Sequence, residues 1–241
     1  MISFGLDFTK QRIYKSDQNF FSKETEESFY VAGFLAADGC VKSRKSPSQK
    51  YGEPRHEVYI GLSKNDKEHL EKIRKILSAE TPIRDYLVKN STRNSNWKDI
   101  WKSEISITSK QMFDDLARFN IVPRKTLIYT IPDWMKNHSL KHHFLRGYND
   151  GDGSFYWALS KGKIEKQLYF SLRGTTEFLM SVRDILEKEC NLPHRETEIR
   201  ISSGHGVLEY GGNKVVKKIC NFLYKDATIY LDRKYEYNIR S

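Results

Sequence analysis

The chain repeats itself, and that feature limits its fold more than any other. VAGFLAADG at 31–39 is echoed by LRGYNDGDG at 145–153, 114 positions on. Each nine-mer leads into a strand-like run, CVKSR in one half and SFYWALS in the other. Two alternating runs follow, HEVYIGLS at 56–63 and QLYFSLRG at 167–174, with the period of two that marks a half-buried strand. Leu70, Ile73, Ile76 and Leu77 then form one apolar helical stripe, matched 109 positions on by Leu179, Val182, Ile185 and Leu186. EISIT at 104–108 and VLEY at 207–210 read as strands, each before a short amphipathic helix near Met112–Phe119 or Val215–Leu223. Each half then reaches a dibasic pair, Arg124-Lys125 or Arg233-Lys234. The order in both halves is αββαββα, an α+β pseudo-dimer. Its predicted divisions are a polar N-terminal extension at 1–23, a first half at 24–129, a linker at 130–138 marked by Pro132 and Asp133, and a second half at 139–241.

Composition narrows the function classes. A net charge of +10 on a chain with 14 Tyr, 13 Phe and 4 Trp points to a packed core and a polyanionic partner, nucleic acid first. No apolar run is long enough to span a membrane, and the charged N-terminus is not a secretory signal. Cys40, Cys190 and Cys220 are widely spaced and odd in number, which fits an intracellular, reducing compartment rather than a disulfide or zinc framework. His138, His142 and His143 give no metal spacing and read as a solvated helix face.

The physics of the nine-mers suggests what they do. Ala32, Gly33 and Ala36 in one helix, and Gly147 and Gly151 in the other, let two helices approach closely. Glu24, Glu26 and Glu27 suit the positive end of the first helix. Both helices end in Asp-Gly, which brings Asp38 and Asp152 together, with Gly39 and Gly153 free to take a left-handed stop. Adjacent carboxylates repel unless a cation or a shared proton compensates, and hard oxygen ligands favour Mg²⁺ or Mn²⁺ over zinc.

These paired nine-mers, the repeat and the dibasic pairs resemble the LAGLIDADG homing endonucleases of the single-chain, two-motif type, over about residues 24–240. The resemblance implies a DNA-binding saddle of antiparallel sheets and a divalent-metal-dependent endonuclease. It implies a staggered double-strand break with short 3′ overhangs in a long, non-palindromic DNA site. Mg²⁺ would be the cofactor, with Mn²⁺ a substitute and Ca²⁺ supporting binding without cleavage. Asp38 and Asp152 occupy the position of the essential carboxylate, and Ala37 and Gly151 that of a metal-binding carbonyl. Lys125 and Lys234 match the basic residues that stabilise charge on the phosphate. Asp150 stands at the sixth motif position, where the first motif departs with Ala36; Arg146 at the second position is the odder departure and points to an altered helix interface.

Double-stranded DNA would lie on the strand faces opposite the apolar ones. Alternation counted from each Asp puts Cys40, Lys42 and Arg44 there beside Arg55, Glu57, Tyr59 and Gly61. In the second half it puts Ser154, Tyr156 and Ala158 beside Gln167, Tyr169, Ser171 and Arg173. Of these, Lys42, Arg44, Arg55, Tyr59, Tyr156, Gln167, Tyr169, Ser171 and Arg173 are the candidate DNA contacts. The halves differ, with Lys42 opposite Tyr156 and Gly61 opposite Ser171, so a single chain would read an asymmetric site as a monomer, without a protein partner. Basic hairpin loops at 44–55, 89–98 and 160–166 would add phosphate contacts. An intron RNA maturase and a non-cleaving DNA-binding regulator of the same fold are the rival readings. An intein is excluded by the starting Met and by a C-terminus lacking His-Asn.

Overall fold

A computed structural model describes residues 14–45, 54–89, 99–159, 164–194, 199–202 and 205–240. The first half runs α1 (Glu26–Ala37), β1 (Gly39–Arg44), β2 (Arg55–Ser63), α2 (Lys67–Ile76), β3 (Arg84–Val88), β4 (Ile100–Thr108) and α3 (Lys110–Ala117). A short α4 (Asp133–Lys136) lies in the connection. The second half repeats the order as α5 (Lys141–Asp152), β5 (Gly153–Leu159), β6 (Lys166–Gly174), α6 (Thr176–Glu189), β7 (Arg200–Ser202), β8 (His205–Gly211) and α7 (Asn213–Leu223), then adds α8 (Asp232–Arg240). Each half forms its own antiparallel sheet, ordered β1-β2-β4-β3 and β5-β6-β8-β7. The alternation read from the sequence holds: Val58, Ile60 and Leu62, like Leu168, Phe170 and Leu172, point into the core. The core also takes Leu70, Ile73 and Leu77 of the first helical stripe and all four residues of the second. No helix among the described residues is long and apolar enough to cross a membrane. The basic loop segments at 46–53, 90–98 and 160–163 lie outside the described residues.

The two halves meet through α1 and α5. Thr25 and Ser28 cap α1 reciprocally, Ser28 N–H donating to Thr25 Oγ1 at 3.3 Å and Thr25 N–H to Ser28 Oγ at 3.2 Å. Beyond this cap the helix is apolar almost all round, as burial on every side requires. A Cβ placed on Gly33 would lie 1.9 Å from the Phe144 carbonyl oxygen, and one on Gly147 would lie 2.0 Å from that of Tyr30. The contact is therefore backbone against backbone, and it obeys the pseudo-twofold relation of the repeat.

The partner helix α5 buries charge instead. Arg146 is fully buried and donates to the carbonyls of Ile229 (3.0 Å) and Leu223 (3.1 Å), to His143 Nδ1 (2.7 Å) and to Glu26 Oε1 (2.7 Å). Glu26 also accepts from Thr228 N–H (2.6 Å) and Ile229 N–H (3.3 Å). The unusual arginine thus ties α1, α5 and the 223–229 segment into one satisfied network, as a buried charge must be. Asp150 is equally enclosed, accepting from Tyr30 Oη (2.7 Å), Leu231 N–H (2.8 Å) and Tyr224 Oη (3.4 Å). Burial pushes its pKa up, against the pull of Lys234 and these donors.

Four expectations are corrected. His142 and His143 are buried because α5 lies inside the molecule rather than on its surface, and His138, just before that helix, stacks on Phe29 at 4.7 Å. Residues 14–23 are not a loose polar extension. Phe20 and Phe21 enter the core, while backbone bonds join Asp17 N–H to Leu77 O (2.9 Å) and Glu80 N–H to Lys15 O (2.9 Å). Gly39 and Gly153 are not left-handed; Gly212 is the glycine with positive φ among the described residues. They are needed for space, since a Cβ would fall 2.3 Å from Leu35 Cδ2 at position 39 and 2.1 Å from Asn149 Oδ1 at position 153. Finally, Gly39 pairs with Ile60 and Gly153 with Leu172, so Ser171 corresponds to Tyr59, and Gly61 to Arg173.

Helix α8 crosses back onto the first half. Arg233 grips Asp66 with two bonds (2.9 and 3.0 Å), and Lys72 meets Asp232 at 2.6 Å.

Two outcomes follow from this packing. Gly147→Ala should cost about 1–3 kcal/mol through overpacking against Tyr30, read as a drop of several degrees in thermal midpoint. Burial, the first cause, lowers the pKa of His69 to about 4 and of His143 to about 3, with nearby Lys72 and Arg146 adding to it. Because the unfolded chain takes up these protons first, stability should be intact above about pH 6.5 and fall as pH drops toward 4. Denaturant midpoints measured across that range should decline more shallowly in His69→Gln.

Candidate active site and nucleic-acid interface

Asp38 follows α1 and Asp152 ends α5, and both are solvent-exposed. The helix ends abut: a Cβ on Gly151 would lie 2.5 Å from Ala37 Cβ and 3.4 Å from Asp38 Oδ2. Only glycine at 151 lets α5 come this close to the first carboxylate. Both carboxylates act on the same two lysines, raising the pKa of Lys125 and of Lys234 against the lowering effect of burial. Asp38 is itself raised, first by the low-dielectric mass around it, with Lys234 and Lys125 opposing. A carboxyl held in this way gains most from an added positive charge.

The lysines of the dibasic pairs are buried behind this centre. Lys125 Nζ donates to Gly39 O at 2.8 Å. Lys234 Nζ reaches four carbonyls: Asn149 (2.6 Å), Asp150 (2.8 Å), Gly153 (2.7 Å) and Gly151 (3.4 Å). It therefore caps the negative end of α5, with its three N–H donors spread over those oxygens. Burial brings its pKa down to about 8. The pair is symmetric in sequence and unequal in surroundings, because the first dibasic element is a 3₁₀ turn (Lys125–Leu127) and the second opens α8.

The donors at the helix ends suit a hard divalent cation. Two carboxylates with neighbouring backbone carbonyls are oxygen ligands that leave room for water and phosphate. No cluster of three or more His, Cys, Asp or Glu that could hold a metal occurs among the described residues.

On either side lies an open sheet face. Cys40, Lys42 and Arg44 pair with Tyr59, Glu57 and Arg55, and Ser154, Tyr156 and Ala158 with Ser171, Tyr169 and Gln167, so each strand pair presents its expected residues on one face. Arg173 continues that face beyond Gly153. Register through the outer strands adds residues that the sequence reading did not name. Lys102, Glu104, Ser106, Arg84 and Tyr86 join the first face, and Glu209 and Arg200 the second. Strand β3 (RDYLV) and the three-residue β7 carry too little alternation to be placed from sequence, although the strand-like EISIT already contained Glu104 in alternation.

The faces are wired internally. Tyr59 Oη donates to Glu104 Oε2 at 3.0 Å and lies 3.2 Å from Tyr86 Oη; burial and then these bonds raise its pKa. Lys42 Nζ sits 4.4 Å from the centre of the Tyr59 ring. Tyr156 donates to Glu209 Oε2 at 2.6 Å and stacks on Tyr169 at 5.4 Å; burial, then the Glu209 bond, pushes its pKa up to about 12. Two glycines make room: a Cβ on Gly61 would meet Tyr59 Oη at 2.5 Å, and one on Gly211 would meet Tyr169 Cε1 at 2.5 Å.

Two αββαββα units joined by abutting helix ends define the two-domain LAGLIDADG meganuclease fold. Residues 25–126 match the model of the LAGLIDADG-like domain. The chain is similar to the LAGLIDADG meganuclease I-CpaMI bound to uncleaved DNA, at 14% identity and a TM-score of 0.56, with 89% of each chain covered. It is also similar to I-SmaMI bound to an uncleaved target in the presence of calcium ions, at 16% identity and a TM-score of 0.55, covering 89% of this chain and 88% of that one. I-GzeII in complex with its DNA target matches at 12% identity and a TM-score of 0.53, covering 89% and 88%. No curated protein matches at the sequence level. Residues 25–126 thus match a LAGLIDADG-like domain, and the chain as a whole shares the two-domain fold of the solved LAGLIDADG meganucleases.

Lys234→Ala strands several carbonyls at the buried end of α5. It should cost about 1–3 kcal/mol, measured by urea denaturation. Lys125→Ala, which frees one carbonyl, should cost less.

Proposed function

We propose that the chain is a site-specific DNA endonuclease, cutting both strands of one long, non-palindromic target as a monomer and leaving short 3′ overhangs. The observation that carries this reading is the abutment of two carboxylate-bearing helix ends, Asp38 against the Gly151 backbone, between two open polar sheet faces on a chain of net charge +10. Solved proteins of the same fold bound to DNA support it.

In this reading Asp38 and Asp152, with the carbonyls of Ala37 and Gly151, would hold Mg²⁺, or Mn²⁺ in its place, which would supply an activated water and polarise a phosphate oxygen. The protein's own part is positional. Gly33 and Gly147 set the distance between the carboxylates, and Lys234 fixes the end of α5 from behind. Lys125, with one carbonyl acceptor instead of four, is the lysine with N–H donors left for charge developing on phosphate. Lys42, Arg44, Arg55 and Tyr59 on one sheet, and Tyr156, Gln167, Tyr169, Ser171 and Arg173 on the other, contact the duplex. Because corresponding positions carry different chemistry, the two half-sites differ. Ca²⁺ supports binding without cleavage.

The test uses linear DNA carrying the uninterrupted locus, meaning the flanks of this gene's element joined together, incubated with the protein and Mg²⁺. Cleavage at one position is expected. It should stop with a chelator and fall roughly a hundredfold or more in Asp38→Asn and in Asp152→Asn, the scale for losing an electrostatic group at a reacting centre. Tight binding without a cut would instead favour a regulator of the same fold, and binding of the intron RNA a maturase.

A further inference from the structure

A surface built only to hold phosphates would have no use for carboxylates, yet beyond Glu57, which is ion-paired to Arg55 at 3.0 Å, each open face carries one engaged by a tyrosine. Glu104 lies opposite Gly61 in the first sheet, and Glu209 opposite Ser171 in the second. Each is engaged by a tyrosine of the same face, Tyr59 at 3.0 Å and Tyr156 at 2.6 Å. The first arrangement is built into the backbone, because Gly61 is the space in which the Tyr59 hydroxyl lies.

The direction of the hydrogen bonds sets what each cluster offers to a ligand. A carboxylate only accepts, so Tyr59 spends its proton on Glu104. Tyr86, 3.2 Å from Tyr59 Oη, must then be the donor of that second bond. Both phenolic protons are consumed, and the Tyr86–Tyr59–Glu104 row is left with acceptor sites alone. In the second sheet Arg200 Nη2 stands 3.1 Å from Glu209 Oε1, while Tyr156 occupies Oε2. There the carboxylate is covered on both oxygens, and the remaining donors are the N–H groups of a guanidinium whose orientation Glu209 fixes.

We propose that Glu104 and Arg200 are specificity-determining residues of opposite hydrogen-bond polarity. Glu104, with its tyrosine row, takes a cytosine through its exocyclic amino group, and Arg200 takes a guanine. The inference rests on the reading that both sheets lie on double-stranded DNA. In the major groove guanine offers O6 and N7 as adjacent acceptors, which a planar arginine fork matches with two bonds. Cytosine offers the N4 amino donor, which a carboxylate accepts. Adenine also carries an amino group, but its N7 acceptor would face the acceptor-only row. Guanine and thymine would oppose acceptor to acceptor, and leaving a carboxylate unpaired at the interface is costly. Glu104 therefore selects by excluding bases as much as by binding one.

The experiment is binding selection by the full chain from a randomised double-stranded DNA library, with Ca²⁺ and without Mg²⁺, followed by sequencing. The expected wild-type profile contains one strongly preferred cytosine in one half-site and one strongly preferred guanine in the other. Glu104→Gln should lower the cytosine preference at that base pair roughly tenfold and leave the other half-site unchanged. Arg200→Lys keeps the charge and loses the fork, so binding to the guanine-bearing site should weaken roughly tenfold while binding to sites with another base there changes little. Profiles that superimpose on the wild type, or variants that weaken binding equally for every sequence, would overturn the proposal. A wild-type selection that yields no motif would overturn the DNA reading itself, before any variant is compared.

Discussion

The two halves touch main chain against main chain. At Gly33 and Gly147 the helices α1 and α5 approach until any side chain would strike the opposing carbonyl. From this spacing follow the abutment of the two helix ends and the placement of Asp38 against the Gly151 backbone. The sheets then hang on either side, β1 starting one residue after Asp38 and β5 one residue after Asp152. A wider helix pair would separate the carboxylates and the sheet faces at the same time.

Close packing alone does not fix which way two helices slide or turn, and here buried polar groups complete the specification. Arg146 with Glu26, and Asp150 with Tyr30, cross the seam with directional bonds. Removing charges from water is costly, so such networks add little net stability, yet breaking one partner is severe. Their effect is to make one alignment of the seam much better than its neighbours. The halves share this work unequally: α1 supplies most of the apolar surface together with Glu26, and α5 supplies the buried Arg146 and Asp150.

Much of this was legible in the sequence, wherever a local periodicity reports directly on burial. The repeat, the helical stripes, the strand faces of β1, β2, β5 and β6, and the small residues of the seam all carry such a signal. What escaped was set by tertiary partners. His142 and His143 look solvated because α5 is polar, and only its position inside the molecule buries them. Gly39 and Gly153 look like left-handed stops, yet their neighbours Leu35 and Asn149 are what demand glycine. Lys125 and Lys234 look equivalent, and the 3₁₀ turn around one and the helix around the other separate them. The outer strands β3 and β7 were invisible for a simpler reason, since they are short and bury little.

The last helix changes what the two halves are to each other. Asp232 and Arg233 attach α8 to Lys72 and Asp66 of the first half, while the next residue, Lys234, is sunk into the second. The covalent connection around α4 joins the halves at one place and this strap joins them at another. In mechanical terms the seam is a clasp rather than a hinge: rocking it open would require both fastenings to yield. A double helix lying across both sheets would thus have to adopt the protein's spacing, and the energy of bending or twisting it would itself discriminate among sequences at base pairs that no side chain touches.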